Sequence, residues 1–190
     1  MPLFDSGIAA LLNVGSGHVL AGAEGGLSGN RHPSIAPYQT YRASDRVFVL
    51  AVGSQPLWAR TCDLIGRPDL VGHPDFATND RRVANIDRLE AELEEALAAR
   101  TADEWIGLFQ NAGVPAGPVN TVAEAFALAD ELERDLVVHT PTDGDGMFVS
   151  TRSPMRLSNH PTRVRRAPPA LGQHDDGLRA WLSADETEQA

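Results

Sequence analysis

From Leu3 to Leu12 the apolar residues Phe4, Ile8, Leu11 and Leu12 recur at helical spacing, and Ala9, Ala10 and Val14 fill much of the remaining circumference. A helix that is apolar on so many sides needs partners on most of them. It begins almost at the first residue with no polar leader, so the chain is expected to be the C-terminal part of something larger. The next apolar run, VFVLAV over residues 47–52, predicts a strand covered on both faces. Ser54 then caps a helix with Pro56 in its first turn, carrying Trp58, Cys62 and Ile65 along one side and stopping at Gly66. Residues 67–80, rich in Pro, Gly, Asp and Asn, read as a loop with His73 at the surface.

Ile86, Leu89, Leu93, Ala96 and Leu97 repeat at intervals of three and four, which predicts an amphipathic helix. Its carboxylates, Asp87, Glu90, Glu92, Glu94 and Glu95 among them, are expected to be solvating groups, because no apolar surroundings are at hand to separate their pKa values. Thr101 with Glu104 and Thr121 with Glu124 are capping boxes, and each opens a further helix. The segment GVPAGPVN between those helices permits only a short extended piece. The runs 136–139 and 147–151, separated by Pro141–Gly146, predict a hairpin. Beyond it, residues 152–170 read as irregular and residues 172–182 as a final helix.

One polar stretch stands apart from this pattern. In GNRHPSIAPYQTYRASD, residues 29–45, Gly29 and Asn30 tolerate positive φ, while Pro33 and Pro37 fix φ and push His32 and Ala36 toward extended geometry. A stiff loop is predicted, presenting Arg31, His32, Ser34, Tyr38, Gln39 and Tyr41 to an anionic or carbonyl ligand. The alternative is a connection whose polar groups simply face water.

Composition narrows the chemistry. The chain has 190 residues, 42% hydrophobic and 22% charged, which fits one domain with an appendage. A formal charge of −10 argues against a nucleic-acid surface. Every basic residue is arginine, so neither Schiff-base chemistry nor a P-loop lysine can come from this chain. The arginine cluster at 163, 165 and 166 reads as a solvated basic edge or as a contact for phosphates. A single cysteine, Cys62, suits a reducing compartment, and a cytoplasmic setting is expected. Asp5 interrupts the first apolar run without a preceding basic residue, unlike a secretory leader. No apolar stretch is long enough to span a bilayer. Gly15 and Gly17 hint at a dinucleotide loop, but Leu20 stands where the third glycine belongs. Asp143 and Asp145 lack the glutamate that a calcium loop requires, so no metal site is expected.

The stretches PLFDSGIAALL, GNRHPSIAPYQTYRASD, VFVLAVGSQPLW, TNDRRVANIDRL, GVPAGPVNTVAEAF and PPALGQHDDGLRAWL, in that order and spacing, resemble the C-terminal half of the family III CoA-transferases. This CaiB/BaiF group includes formyl-CoA transferase and the succinate and hydroxymethylglutarate CoA-transferases. The resemblance runs from about Pro2 to Leu182. It implies an α/β fold: a small α/β domain with a short antiparallel sheet and flanking helices. Residues 1–35 would link to a large CoA-binding domain, 36–158 would form the small domain, and 159–190 would return toward the large one. Two subunits of that family interlock, so the implied partner is a homodimer mate or a chain carrying the CoA-binding half.

The resemblance also implies a reaction. CoA passes between an acyl-CoA and a carboxylic acid through an aspartyl-CoA intermediate, a route that splits one hard exchange into easier steps. The attacking aspartate lies upstream of the segment matched here, so no catalytic residue is expected in this chain. A CoA thioester would be a substrate, with no permanently bound cofactor. In the formyl-CoA transferases a Gly-Asn pair precedes a glycine-rich loop over the reacting thioester. That pair matches Gly29 and Asn30, which places Arg31, His32, Pro33, Ser34 and Ile35 at substrate-binding positions. The run of glycines is missing here, so this loop is expected to move less. HPSIAPYQTY resembles the dicarboxylate-type enzymes, and the fork of Arg31 suits an acid's carboxylate, the alternative being a backbone carbonyl. Asp45-Arg46 replaces the family's Asp-Gly, so the turn there need not use positive φ. Epimerisation like that of the α-methylacyl-CoA racemases, or a non-catalytic partner-binding fragment, are the competing readings.

Overall fold

A computed structural model describes residues 2–188 and divides the chain into two compact units, Met1–Val119 and Asn120–Ala190. The first is organised around an antiparallel sheet of β1 (Tyr38–Arg42), β2 (Val47–Ala51) and β3 (Ala116–Pro118), with β2 central. Pairing sets Tyr41 opposite Phe48 and Gln39 opposite Leu50, so these four side chains share one face. All four are buried, and Val52 follows them inward. The other face of β2 is only half-covered, so the strand alternates where covering on both faces was expected. The β1–β2 turn closes with Ala43 N–H donating to Arg46 C=O at 2.9 Å, and Arg46 does not take positive φ.

Helices cover the buried face. α3 (Gln55–Leu64) begins at Ser54, whose Oγ accepts from Leu57 N–H, and buries Trp58, Thr61 and Cys62. Gly66 then turns the chain with φ of 74°. The expected loop 67–80 holds a single 3-10 turn, and Thr78 at its end caps α4 (Asn79–Ala84). His73 is half-buried there, its Nδ1 accepting from Asp75 N–H and its ring against Phe76. α5 (Ile86–Leu97) lays Leu89, Leu93 and Leu97 into the core, and α6 (Ala102–Asn111) adds Trp105, Ile106 and Phe109. Each such apolar side chain contributes about 1.5–3 kcal/mol relative to exposure. Both ends of α6 are fixed: Thr101 and Glu104 form the capping box, Asp45 Oδ1 accepts from Ala102 N–H at 2.8 Å, and Gly113 takes φ of 72°.

The glycine-rich stretch after residue 12, to which the sequence pattern assigns no element, is helical: α1 (Leu3–Ala9) is followed by α2 (Leu12–Ala21), which runs straight through Gly15 and Gly17. Neither helix buries a residue, and Phe4, Leu12, Val19 and Leu20 stand open. The polar stretch 29–45 is a loop only as far as Pro37, because Tyr38–Arg42 is β1.

The second unit holds α7 (Val122–Glu131) behind the Thr121–Glu124 box, the hairpin of β4 (Val137–Pro141) and β5 (Met147–Thr151), and α8 (Asp175–Glu188). Residues 152–174 carry no regular element. Arg152 ties that stretch to the start of the hairpin, its Nε donating to Asp135 C=O at 2.8 Å. The Asp143 and Asp145 region is the hairpin turn, closed by Thr142 N–H to Gly146 C=O.

Candidate functional site

Gly29 turns the chain with φ of 60°, and the loop behind it is fastened by short-range bonds. Arg31 N–H donates to Ser28 C=O, His32 N–H to Tyr38 C=O, and Thr40 N–H to Asn30 Oδ1 at 2.9 Å. At the far end Val52 N–H donates to Pro37 C=O at 2.8 Å, stitching the loop onto the sheet. Asn30 is therefore an anchor for β1 with its Oδ1 engaged.

Beside the loop lies a cavity of about 230 Å³. Leu27, Val83 and Ile86 supply apolar lining, and Arg31, His32 and Ser28 supply polar groups. Of the residues singled out from sequence, Arg31, His32 and Pro33 line this space, while Gly29, Asn30, Ser34 and Ile35 do not. The His32 ring stacks on Tyr38 with centroids 5.0 Å apart, and its Nδ1 accepts from Ser34 N–H at 3.2 Å. That pair of contacts holds the imidazole in one orientation.

Arg31 reaches neither water alone nor a backbone carbonyl. Its Nη1 donates to Asp87 Oδ1 at 2.7 Å and its Nη2 to Glu90, both on α5. Glu90 first and Asp87 second raise the guanidinium pKa. The carboxylates of α5, expected only to solvate it, thus hold neighbouring segments: Glu94 accepts from Arg42 N–H at 2.8 Å and Glu92 pairs with Arg67. Gln39 and Tyr41, expected to present donors to a ligand, point into the core instead. Among the described residues Gln39 Oε1 and the Tyr41 hydroxyl have no hydrogen-bond partner. Burial, followed by the charge of Glu90, raises the Tyr41 phenol far above its ordinary value, so it stays neutral.

Other side chains in this region were not legible in the sequence. Asn79 and Arg82 of α4 bond the loop backbone, and Arg82 is 1% exposed. They belong to the TNDRR stretch, but the partners that give them meaning lie more than forty positions away. In the second unit, Arg165 and Arg166 border a cleft of about 540 Å³ together with Gln173 and His174. Among the described residues no group of three or more His, Cys, Asp or Glu is placed to hold a metal ion, and no helix is long and apolar enough to cross a membrane.

Comparison with known proteins sets this geometry in a family. The chain is 35% identical to acetyl-CoA:oxalate CoA-transferase of Acetobacter aceti over 161 residues, 84% of this chain and 40% of that protein. It is 31% identical to human succinyl-CoA:glutarate CoA-transferase over 172 residues, 90% of this chain and 39% of that protein. The crystal structure of a CaiB/BaiF family protein from Brucella suis superposes with a TM-score of 0.69 at 35% identity, covering 96% of this chain and 47% of that one. The chain therefore spans less than half the length of each. The sequence pattern of CoA-transferase family III matches residues 1–175, and the chain belongs to that family.

Proposed function

We propose that the chain serves the transfer of CoA between an acyl-CoA and a carboxylic acid, through an aspartyl-CoA intermediate whose aspartate comes from the remainder of the enzyme. Residues 29–35 form the loop beside the reacting thioester, with Arg31 and His32 facing the acid and Gly29, Asn30, Pro33, Ser34 and Ile35 shaping the backbone that presents them. The observation that carries the reading is the cavity at Arg31 and His32, lined on its remaining sides by Leu27, Val83 and Ile86, in a chain of this family. A cavity of about 230 Å³ suits the acyl part of a small acid better than a whole coenzyme.

The CoA thioester acts as a substrate and not as a resident group. The open faces of α1 and α2 support a partner surface, supplied by a second copy of the chain or by a CoA-binding portion. On this reading residues 1–35 link to that portion, 36–158 form the small domain and 159–190 return toward it. The buried, reduced Cys62 agrees with a cytoplasmic setting.

Incubating the complete enzyme with acetyl-CoA and either oxalate or glutarate tests the proposal. Formation of the new acyl-CoA with equimolar release of acetate is the expected result. Deuterium uptake from solvent at the α-carbon of a branched acyl-CoA, without CoA exchange, would overturn it in favour of epimerisation.

A further inference from the structure

Among the described residues Arg82 is a cation without a counter-ion. Its Nε donates to Ala36 C=O at 2.7 Å, and its Nη1 donates to Phe76 C=O at 2.9 Å and to Gln55 Oε1 at 3.1 Å. The guanidinium carbon lies 5.0 Å from the centre of the Trp58 ring. Every one of these partners is neutral, and burial lowers the guanidinium pKa. Enclosing an unpaired charge is expensive, and the chain recovers that cost only through well-aligned bonds to its donors. The bonds join three separate segments: the loop before β1, the turn before α4, and α3.

Asn79, one turn earlier on α4, completes the grip. Its Oδ1 accepts from Ala36 N–H at 3.1 Å and its Nδ2 donates to Ser34 C=O at 2.8 Å. Within residues 34–36 the Ser34 and Ala36 carbonyls and the Ala36 amide are thus bonded to a single short helix. Val83, the residue after Arg82, lines the same cavity as Arg31 and His32. Whatever fixes α4 against the loop therefore fixes the width of that cavity.

We infer that Asn79 and Arg82 are positioning residues, a side-chain clamp that holds the backbone of residues 34–36 and so sets the dimensions of the space in which the carboxylic acid is received. For the identity of that ligand the inference rests on the proposed function; for the clamp itself it rests on the bonds alone. A glycine-rich lid can close over a substrate by moving. A clamped loop instead selects acids by a preformed fit, whose cost is already met before binding.

Hydrogen exchange and steady-state kinetics test it together. Asn79 is half-buried at the start of α4, so Asn79→Ala is expected to fold, and the Ala36 amide, which has Asn79 as its acceptor, should exchange at least about tenfold faster while Phe48 and Leu50 in β2 keep their protection. In the complete enzyme the same variant should raise KM for the acid several-fold with kcat nearly unchanged, and Arg82→Lys should do likewise, because a single ammonium cannot reproduce the three-way contact. Leu93→Ala, a core change that removes none of the clamp's hydrogen bonds, should lower stability but leave the acid KM unmoved. Unchanged exchange at Ala36 in Asn79→Ala would overturn the clamp. Faster exchange with an unaltered acid KM would overturn its role in acid selection. Absence of CoA exchange in the unsubstituted enzyme would count against the proposed reaction, and the exchange measurement would still decide the clamp.

Discussion

Replacing Arg31 by methionine measures how far the chain itself has already engaged this side chain. The two arms of its fork differ in hydration: the Asp87 side chain is 86% exposed and that of Glu90 is 28% exposed. Exposed ion pairs contribute about 0.2–1 kcal/mol, and water screens the more exposed one further. Arg31 is itself 38% exposed, so the whole fork should be discounted to about 1 kcal/mol, most of it from Glu90. Double-mutant cycles with Glu90→Gln and Asp87→Asn, read from urea midpoints at constant m, should give a coupling of about 0.5–1 kcal/mol for the first pair and less than about 0.3 kcal/mol for the second. Raising the salt should erase the smaller coupling first. A coupling to Asp87 equal to or larger than that to Glu90 would refute the ranking by exposure. The functional consequence is quantitative too: so weak a hold lets an incoming carboxylate displace Asp87 at little cost. Arg31→Met should therefore raise KM for the acid in the complete enzyme, and an unaltered KM and turnover would remove Arg31 from acid binding.

Other perturbations have equally definite outcomes. Leu93→Ala leaves a void among Leu89, Leu97 and the sheet and should destabilise the first unit by about 2–5 kcal/mol in urea unfolding. Thr101→Ala removes half of the α6 capping box and should cost about 1 kcal/mol by the same measurement. Burial pushes the Cys62 thiol up to about 12, so a disulfide reagent at neutral pH should label it only as fast as the unit opens, with the rate rising steeply in urea. Asp45 is held below the usual carboxylate range chiefly by the Ala102 amide. Its proton therefore binds the unfolded chain more tightly, and the stability it contributes is present above the unfolded pKa and lost as pH falls toward the folded one. Asp45→Asn should flatten that acid limb of a stability-against-pH curve, and an unchanged slope would contradict the assignment.

What the sequence disclosed follows the range over which each signal acts. Ser54, the Thr101–Glu104 box and the Thr121–Glu124 box were readable because a cap and its partner lie within a few residues. The apolar stripe of α5 was readable for the same reason. β1 escaped because Gln39, a polar residue, occupies its inward face beside Tyr41, which breaks the alternation a half-buried strand should show. α2 escaped because Gly15 and Gly17 lower helix propensity, and the flanking residues overrode them. The site was half legible: proline and glycine spacing marked residues 29–37, but the side chains that shape the loop come from α4 and α5. Their roles exist only once the chain has brought Asn79, Arg82, Asp87 and Glu90 back onto it.

The burial of Trp58 under the Arg82 guanidinium gives the molecule a built-in optical reporter. Of the chain's three tryptophans, Trp58 and Trp105 are enclosed in the first unit, whereas Trp181 in the second is 64% exposed. Emission from Trp181 should already be that of an indole in water, so a red shift on denaturation would record the melting of the first unit alone. A quencher confined to bulk solvent would silence Trp181 and leave the joint spectrum of the two enclosed indoles, Trp58 beneath the Arg82 guanidinium and Trp105 on α6.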